Sequence, residues 1–118
     1  MAQVKIKRVY DTETPTDGYR VLVDKLWPRG MKKENLHYDY WAKNITPSTE
    51  LREWFHEDES GHWDEFRKKY TKELQENPAM KDFVESIKDK KIVTLLYASK
   101  NAMENHALIL QEYLEKVL

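Results

Sequence analysis

Val4-Lys5-Ile6-Lys7 alternates apolar and charged positions, the period of a half-buried β-strand. Arg8 breaks the alternation by falling on the face begun by Val4 and Ile6. Its charge therefore stands at the strand's open end or faces something anionic. Pro15, Asp17 and Gly18 then mark residues 11–18 as a turn-rich loop. A second strand is predicted over Tyr19–Leu26 from Val21, Leu22, Val23 and Leu26, stopped by Trp27-Pro28-Arg29-Gly30. The loop between the two strands is short for a helical crossover, and the pattern leaves their relative direction open.

Residues 31–45 carry weak periodicity, with Trp41 and Ile45 placed inward and a short helical turn between them. Thr46-Pro47-Ser48 announces a helix whose buried face is Leu51, Trp54 and Phe55. His56 to His62 reads as a polar, solvated loop. Trp63, Phe66, Tyr70 and Leu74 recur every three or four residues, which predicts an amphipathic helix ended by Asn77-Pro78. Met80, Phe83, Val84 and Ile87 predict another. Ile92-Val93-Thr94-Leu95-Leu96-Tyr97 is a nearly unbroken apolar run, as in a central strand buried on both faces. A last helix is expected directly after it, capped by Ser99 or Asn101, with Met103, Ala107, Leu110, Leu114 and Val117 packing on the sheet. The order strand, strand, three helical segments, strand, helix predicts one small layered α/β domain of the αβα type. Its short sheet is mostly parallel and covered by helices.

Composition changes this picture little. The chain has 118 residues, and 20 Lys and Arg stand against 21 Asp and Glu, so the balance argues against a nucleic-acid binder. There is no cysteine, which excludes disulfides, thiolate metal sites and cysteine nucleophiles. No apolar run has the length of a signal peptide or membrane helix, and a cytoplasmic protein without membrane partners is the expectation.

Ligands in open α/β sheets sit beyond the carboxyl ends of the strands. A parallel sheet would bring three polar stretches there, residues 8–11, 24–29 and 97–106. Arg29, between a proline and a glycine, offers a planar fork for a carboxylate or phosphate. The plainer alternative is that it pairs with Asp24 or Asp11 and pins the turn. His106, near the start of the last helix, could serve as acid, base or donor; the plainer alternative is a histidine bonded to a backbone carbonyl. Lys100, Asn105 and Tyr97 surround the same turn, and Trp27 neighbours Arg29. His56-Glu57-Asp58-Glu59-Ser60-Gly61-His62 matches no zinc or calcium spacing, and no serine lies in a nucleophile elbow, so no metal site is expected.

The blocks Arg8-Val9-Tyr10-Asp11, Val21-Leu22-Val23-Asp24-Lys25-Leu26-Trp27-Pro28-Arg29-Gly30, Pro47-Ser48-Thr49-Glu50-Leu51-Arg52-Glu53-Trp54-Phe55 and Val93-Thr94-Leu95-Leu96-Tyr97-Ala98 resemble the YeaO-like proteins of the DUF488 family. The resemblance runs over nearly the whole chain and brings no assigned activity or cofactor. It implies polar motifs at the same strand ends. Asn105-His106-Ala107 is similar to the family pattern at that helix start. Glu104 stands where a further histidine is implied, which counts against a two-histidine mechanism, and Lys25 where an arginine is.

The residues therefore point to an enzyme or binding domain for an anionic small molecule of phosphate or nucleotide type. Arg29 and Arg8 would hold the anion, with Trp27, Lys100 and Asn105 beside it. His106 with Asp24 would do any catalysis, and Tyr97 would orient them. The alternatives are a protein- or nucleic-acid-binding module and a ligand-free oligomeric domain.

Overall fold

The apolar run Ile92–Tyr97 decides the architecture, because a buried strand also buries its backbone N–H and C=O groups and needs a partner along each edge. In a computed structural model that describes residues 2–118, it is strand β4 and lies between β1 (Gln3–Arg8) and β2 (Tyr19–Leu22). A two-residue strand β3 (Tyr40–Trp41) extends the far edge, giving the order β1-β4-β2-β3 with every pair parallel. The first two strands thus run in the same direction without touching.

Four α-helices follow: α1 (Thr49–Glu57), α2 (Glu59–Glu76), α3 (Ala79–Ile87) and α4 (His106–Val117). Their buried faces share one core with Val4, Val21, Val93, Leu95 and Tyr97. The opposite face of the sheet is covered by loops and 3-10 turns, where Leu22 and Leu96 meet Val9, Leu36, Trp27, Tyr38 and Trp41. The domain is therefore layered around a covered parallel sheet. The chain crosses the loop-covered face from β1 to β2 to β3 and returns to β4 over the helical face. Opposite moves over opposite faces share one hand, as parallel crossovers require.

Several boundaries differ from the pattern-based expectation, each for a local reason. Strand β2 stops at Leu22, although the Val23 amide still donates to the Leu96 carbonyl at 3.0 Å. The polar run around Asp58 is helical, because Asp58 ends α1 and its side chain accepts from the Gly61 amide to start α2. The final helix begins seven residues later than Ser99, capped by Asn105, whose side chain accepts from the Leu108 amide. Met103 consequently lies outside the helix and 78% exposed, and Val117 is also exposed, so only Ala107, Leu110 and Leu114 of that stripe are buried. The expected turn beside Trp41 is present as Lys43–Ile45, and Ile45 is buried. No helix among the described residues is long and apolar enough to cross a membrane.

The loop-covered face carries charge in its interior. Asp17, in the turn Pro15–Asp17, is buried and receives Lys7 at 2.8 Å, the Thr14 hydroxyl at 2.9 Å and the Arg20 guanidinium. Arg20 is itself buried in the middle of β2, and Thr94 donates to the Asp17 carbonyl at 2.6 Å. Gly18 follows with φ +64°, and a Cβ there would lie 2.4 Å from the Ile92 carbonyl oxygen, so only glycine lets the turn lie against β4. Burial alone would raise the Asp17 carboxyl; hydrogen bonds from Lys7, Thr14 and Arg20 outweigh it and hold the group well below the usual carboxylate range.

A folded-state value below the unfolded one makes this stabilisation complete above about pH 4 and drains it as the pH falls further. Asp17→Asn should lose about 3 kcal/mol at neutral pH, since buried Arg20 keeps only the exposed Glu13, 4.0 Å away, as a counter-charge. In urea melts across pH, wild-type stability should fall more steeply below about pH 4 than that of the variant. Parallel profiles would remove Asp17 as the source.

Candidate functional site

Strands β2 and β4 are neighbours, yet the chain leaves them toward opposite faces. After β2 it turns to the loop-covered side; after β4 it enters α4 on the helical side. Such a divergence opens a crevice at the carboxyl ends of the strands. A cleft of about 600 Å³ occupies that place, within the range of small-molecule sites.

Asp24 joins the two walls. Its Oδ2 accepts from the Ala98 amide at 2.9 Å, and its Oδ1 lies 3.0 Å from His106 Nε2. The same Nε2 is 2.8 Å from the Val23 carbonyl oxygen. Both neighbours are acceptors, so the neutral ring carries its proton on Nε2 and leaves Nδ1 as the nitrogen able to meet a ligand. The carbonyl expected of a plain core histidine and the carboxylate expected of a functional one are thus both present. The Asp24 carbonyl accepts from Trp41 Nε1 at 2.7 Å, which anchors the same residue from a third side.

The outer wall is the turn after Trp27. Pro28 is buried, Gly30 takes φ +77°, and the Tyr10 hydroxyl donates to the Arg29 carbonyl at 2.7 Å. These contacts fix the Arg29 backbone and leave its side chain exposed. Among the described residues it pairs with neither Asp24 nor Asp11. Trp27 packs edge-on against Trp41 and Tyr38, with ring centroids 5.5 and 5.8 Å away. It is half-buried and flanks the cleft. The facing wall, residues 98–105, is built of side-chain turns: Asn101 Oδ1 accepts from the amides of Met103 and Glu104, each at 3.0 Å.

Six of the eight residues expected at the site line this cleft: Asp24, Trp27, Arg29, Lys100, Asn105 and His106. Arg8 and Tyr97 do not. Arg8 donates to the carbonyls of Ser99 at 2.9 Å and Ala98 at 3.3 Å, holding the wall from behind. Tyr97 is buried in the helical core, and burial, aided by Asp11 and opposed by Arg8, raises its phenol above the ordinary range. Asn105 is buried as the cap of α4, and its amide donates to the Asn101 carbonyl at 2.8 Å.

The floor had no counterpart in the expected set. It comes from α1 and the start of α2, where Arg52, Phe55, His56 and Glu59 face the cleft together with Phe66. Spacings of three and one put Arg52, Phe55 and His56 on one stripe of α1, a signal readable in the sequence, and Glu59 joins them as the first residue of α2. Glu59 is engaged by His56 Nδ1 at 2.8 Å. Arg52 makes no ion pair, and its Nε is the one buried side-chain polar atom among the described residues that lacks a hydrogen-bond partner. No group of three or more His, Asp or Glu among the described residues is placed to hold a metal ion.

This arrangement is a parallel α/β domain with a polar crevice at its topological switch point. The chain belongs to the family described as the inactive DUF488-N3 subclade, whose model matches residues 3–118. It is 46% identical to the uncharacterised protein YeaO of Escherichia coli (strain K12), over 97% of this chain and 98% of that one. Uncharacterised proteins of Mycobacterium bovis and Mycobacterium tuberculosis are each 36% identical, over 95% of this chain and 93% of theirs. No solved structure matches the chain.

Replacing Asp24 by asparagine should unsettle the whole crevice. One amide cannot accept from both the Ala98 N–H and the His106 ring N–H, so Asp24→Asn should cost about 1–3 kcal/mol. Long-range proton–nitrogen NMR should show His106 with its proton on Nε2 in the wild type and a tautomer mixture in the variant. An unchanged tautomer would mean that the Val23 carbonyl alone sets the ring.

Proposed function

We propose that the protein is a cytoplasmic binding domain that holds an anionic small molecule of phosphate or nucleotide type in this cleft, without turning it over. The observation that supports the reading is the imbalance of charge along the walls. Lys25, Arg29, Arg52 and Lys100 line the cleft against two carboxylates, Asp24 and Glu59. Both carboxylates are already engaged, by Ala98 and His106 and by His56. None of the four cations has an ion-pair partner among the described residues; Lys25 reaches only the Thr49 hydroxyl, at 3.3 Å. Apolar walls from Trp27, Phe55 and Phe66 reduce screening and focus that field on whatever enters.

In this reading Arg29 and Lys100 grip the anion from opposite walls at the mouth. His106, its ring oriented by Asp24, accepts through Nδ1 from a hydroxyl of the ligand. Arg8 acts at one remove, by fixing the Ala98 and Ser99 carbonyls. The family's description as inactive supports holding over chemistry, and so does the presence of Glu104 beside the single histidine of the α4 start.

Amide NMR titration with inorganic phosphate and a small nucleotide panel tests this. Wild-type protein should show saturable shifts near Arg29, Lys100 and His106. Arg29→Ala should weaken the affinity about 10- to 100-fold, the worth of one charge-assisted contact. No shifts, or the same shifts in both proteins, would reject the pocket and favour a macromolecular partner.

A further inference from the structure

We infer that the ligand of this cleft carries two separate anionic groups, and that the inner one is received by Arg52. The inference rests on the reading of the cleft as an anion site and goes on to name the class of ligand. Arg29 and Lys100 are exposed and stand at the mouth, whereas Arg52 rises from α1 beside Phe55, Phe66, Thr46 and Pro47. Arg52 is half-buried where those two are exposed, so it stands as a second, inner cationic position.

Arginine has a side-on fork, Nε–H with one Nη–H, that matches the two oxygens of a carboxylate or phosphoryl group. Among the described residues no hydrogen bond or ion pair engages that fork in Arg52, and its Nε–H is buried without a partner. A buried donor without a partner is unfavourable, and folded proteins rarely keep one without a role. Nε–H is covered by the protein, so the guanidinium must rotate to present it to a ligand. The missing hydrogen bond makes that rotation easy, because no protein contact is given up. Trp27 and Pro28 beside Arg29, and Phe55 and Phe66 beside Arg52, give the cleft an apolar lining suited to the uncharged body that separates the two groups. The ligand is thus an organic bis-anion, a phosphorylated carboxylic acid or a bisphosphate, and not a simple phosphomonoester.

Matched pairs test this by calorimetry on the full chain: 3-phosphoglycerate against glycerol 3-phosphate, 6-phosphogluconate against glucose 6-phosphate, and fructose 1,6-bisphosphate against fructose 6-phosphate. At least one two-anion probe should bind wild-type protein tenfold or more tightly than its one-anion partner, and which pair does so separates carboxylate from phosphoryl. In Arg52→Lys, which keeps the charge and loses the fork, that ratio should fall below about threefold. The Arg52 Nε–H resonance should move with the two-anion probe and stay still with its partner. Arg52→Met should melt at or above the wild-type temperature, since it removes a cation the fold leaves unpaired. A ratio near one in the wild type, a ratio that survives Arg52→Lys, or an Arg52→Met protein that melts well below wild type would overturn the inference while leaving the mouth site intact. Failure of every probe to bind would instead reject the anion site itself.

Discussion

Two strands that leave a sheet in opposite directions need something to hold their ends together, and here that is the carboxylate of Asp24. One oxygen takes the backbone amide of Ala98, just past β4; the other takes the ring of His106, the first residue of α4. Asp24 itself sits two residues beyond β2, and its carbonyl is tied to Trp41 of β3. Three strand exits and a helix start therefore converge on one residue. These bonds tie the two walls of the crevice together, and His106 owes its orientation to them.

The rest of the domain supplies rigidity around that junction. Below it, apolar side chains of four helices pack on one face of the sheet. The other face divides into two halves. Toward the carboxyl ends, the aromatic rings of Trp27, Tyr38 and Trp41 interlock. Farther back, Lys7, Arg20 and Asp17 form a buried ionic knot closed by Thr94. Charge inside that face is tolerated because every oxygen of Asp17 is answered by a donor.

Local patterns reveal the parts of this structure that local forces make. The alternation at Val4–Lys7 and the apolar run at Ile92–Tyr97 identify β1 and β4, and the Met80–Ile87 spacing identifies α3, because burial dictates the residues there. The convergence of residues 24–29 and 98–106 follows from a parallel sheet, which is why most of the expected site residues meet. Other features depend on partners far along the chain. The Arg8 donors are satisfied by carbonyls about ninety positions away, so its sequence context alone reads as a free charge. A strand as short as Tyr40–Trp41 has no period to detect. The acidic stretch around Asp58 hides two helix ends because polar residues do both the capping and the exposed faces, leaving no apolar rhythm.

The cleft draws on three stretches widely separated in sequence: one wall from residues 24–29, another from residues 98–106, and a floor from residues 52–66. A fragment that stops short of residues 98–106 lacks one whole wall, His106 included. The last helix must close on the exit of the second strand before both walls of the cleft stand together. Occupancy then certifies completeness. A ligand of this cleft would select finished molecules from a mixed population and, by mass action, protect them from unfolding and proteolysis.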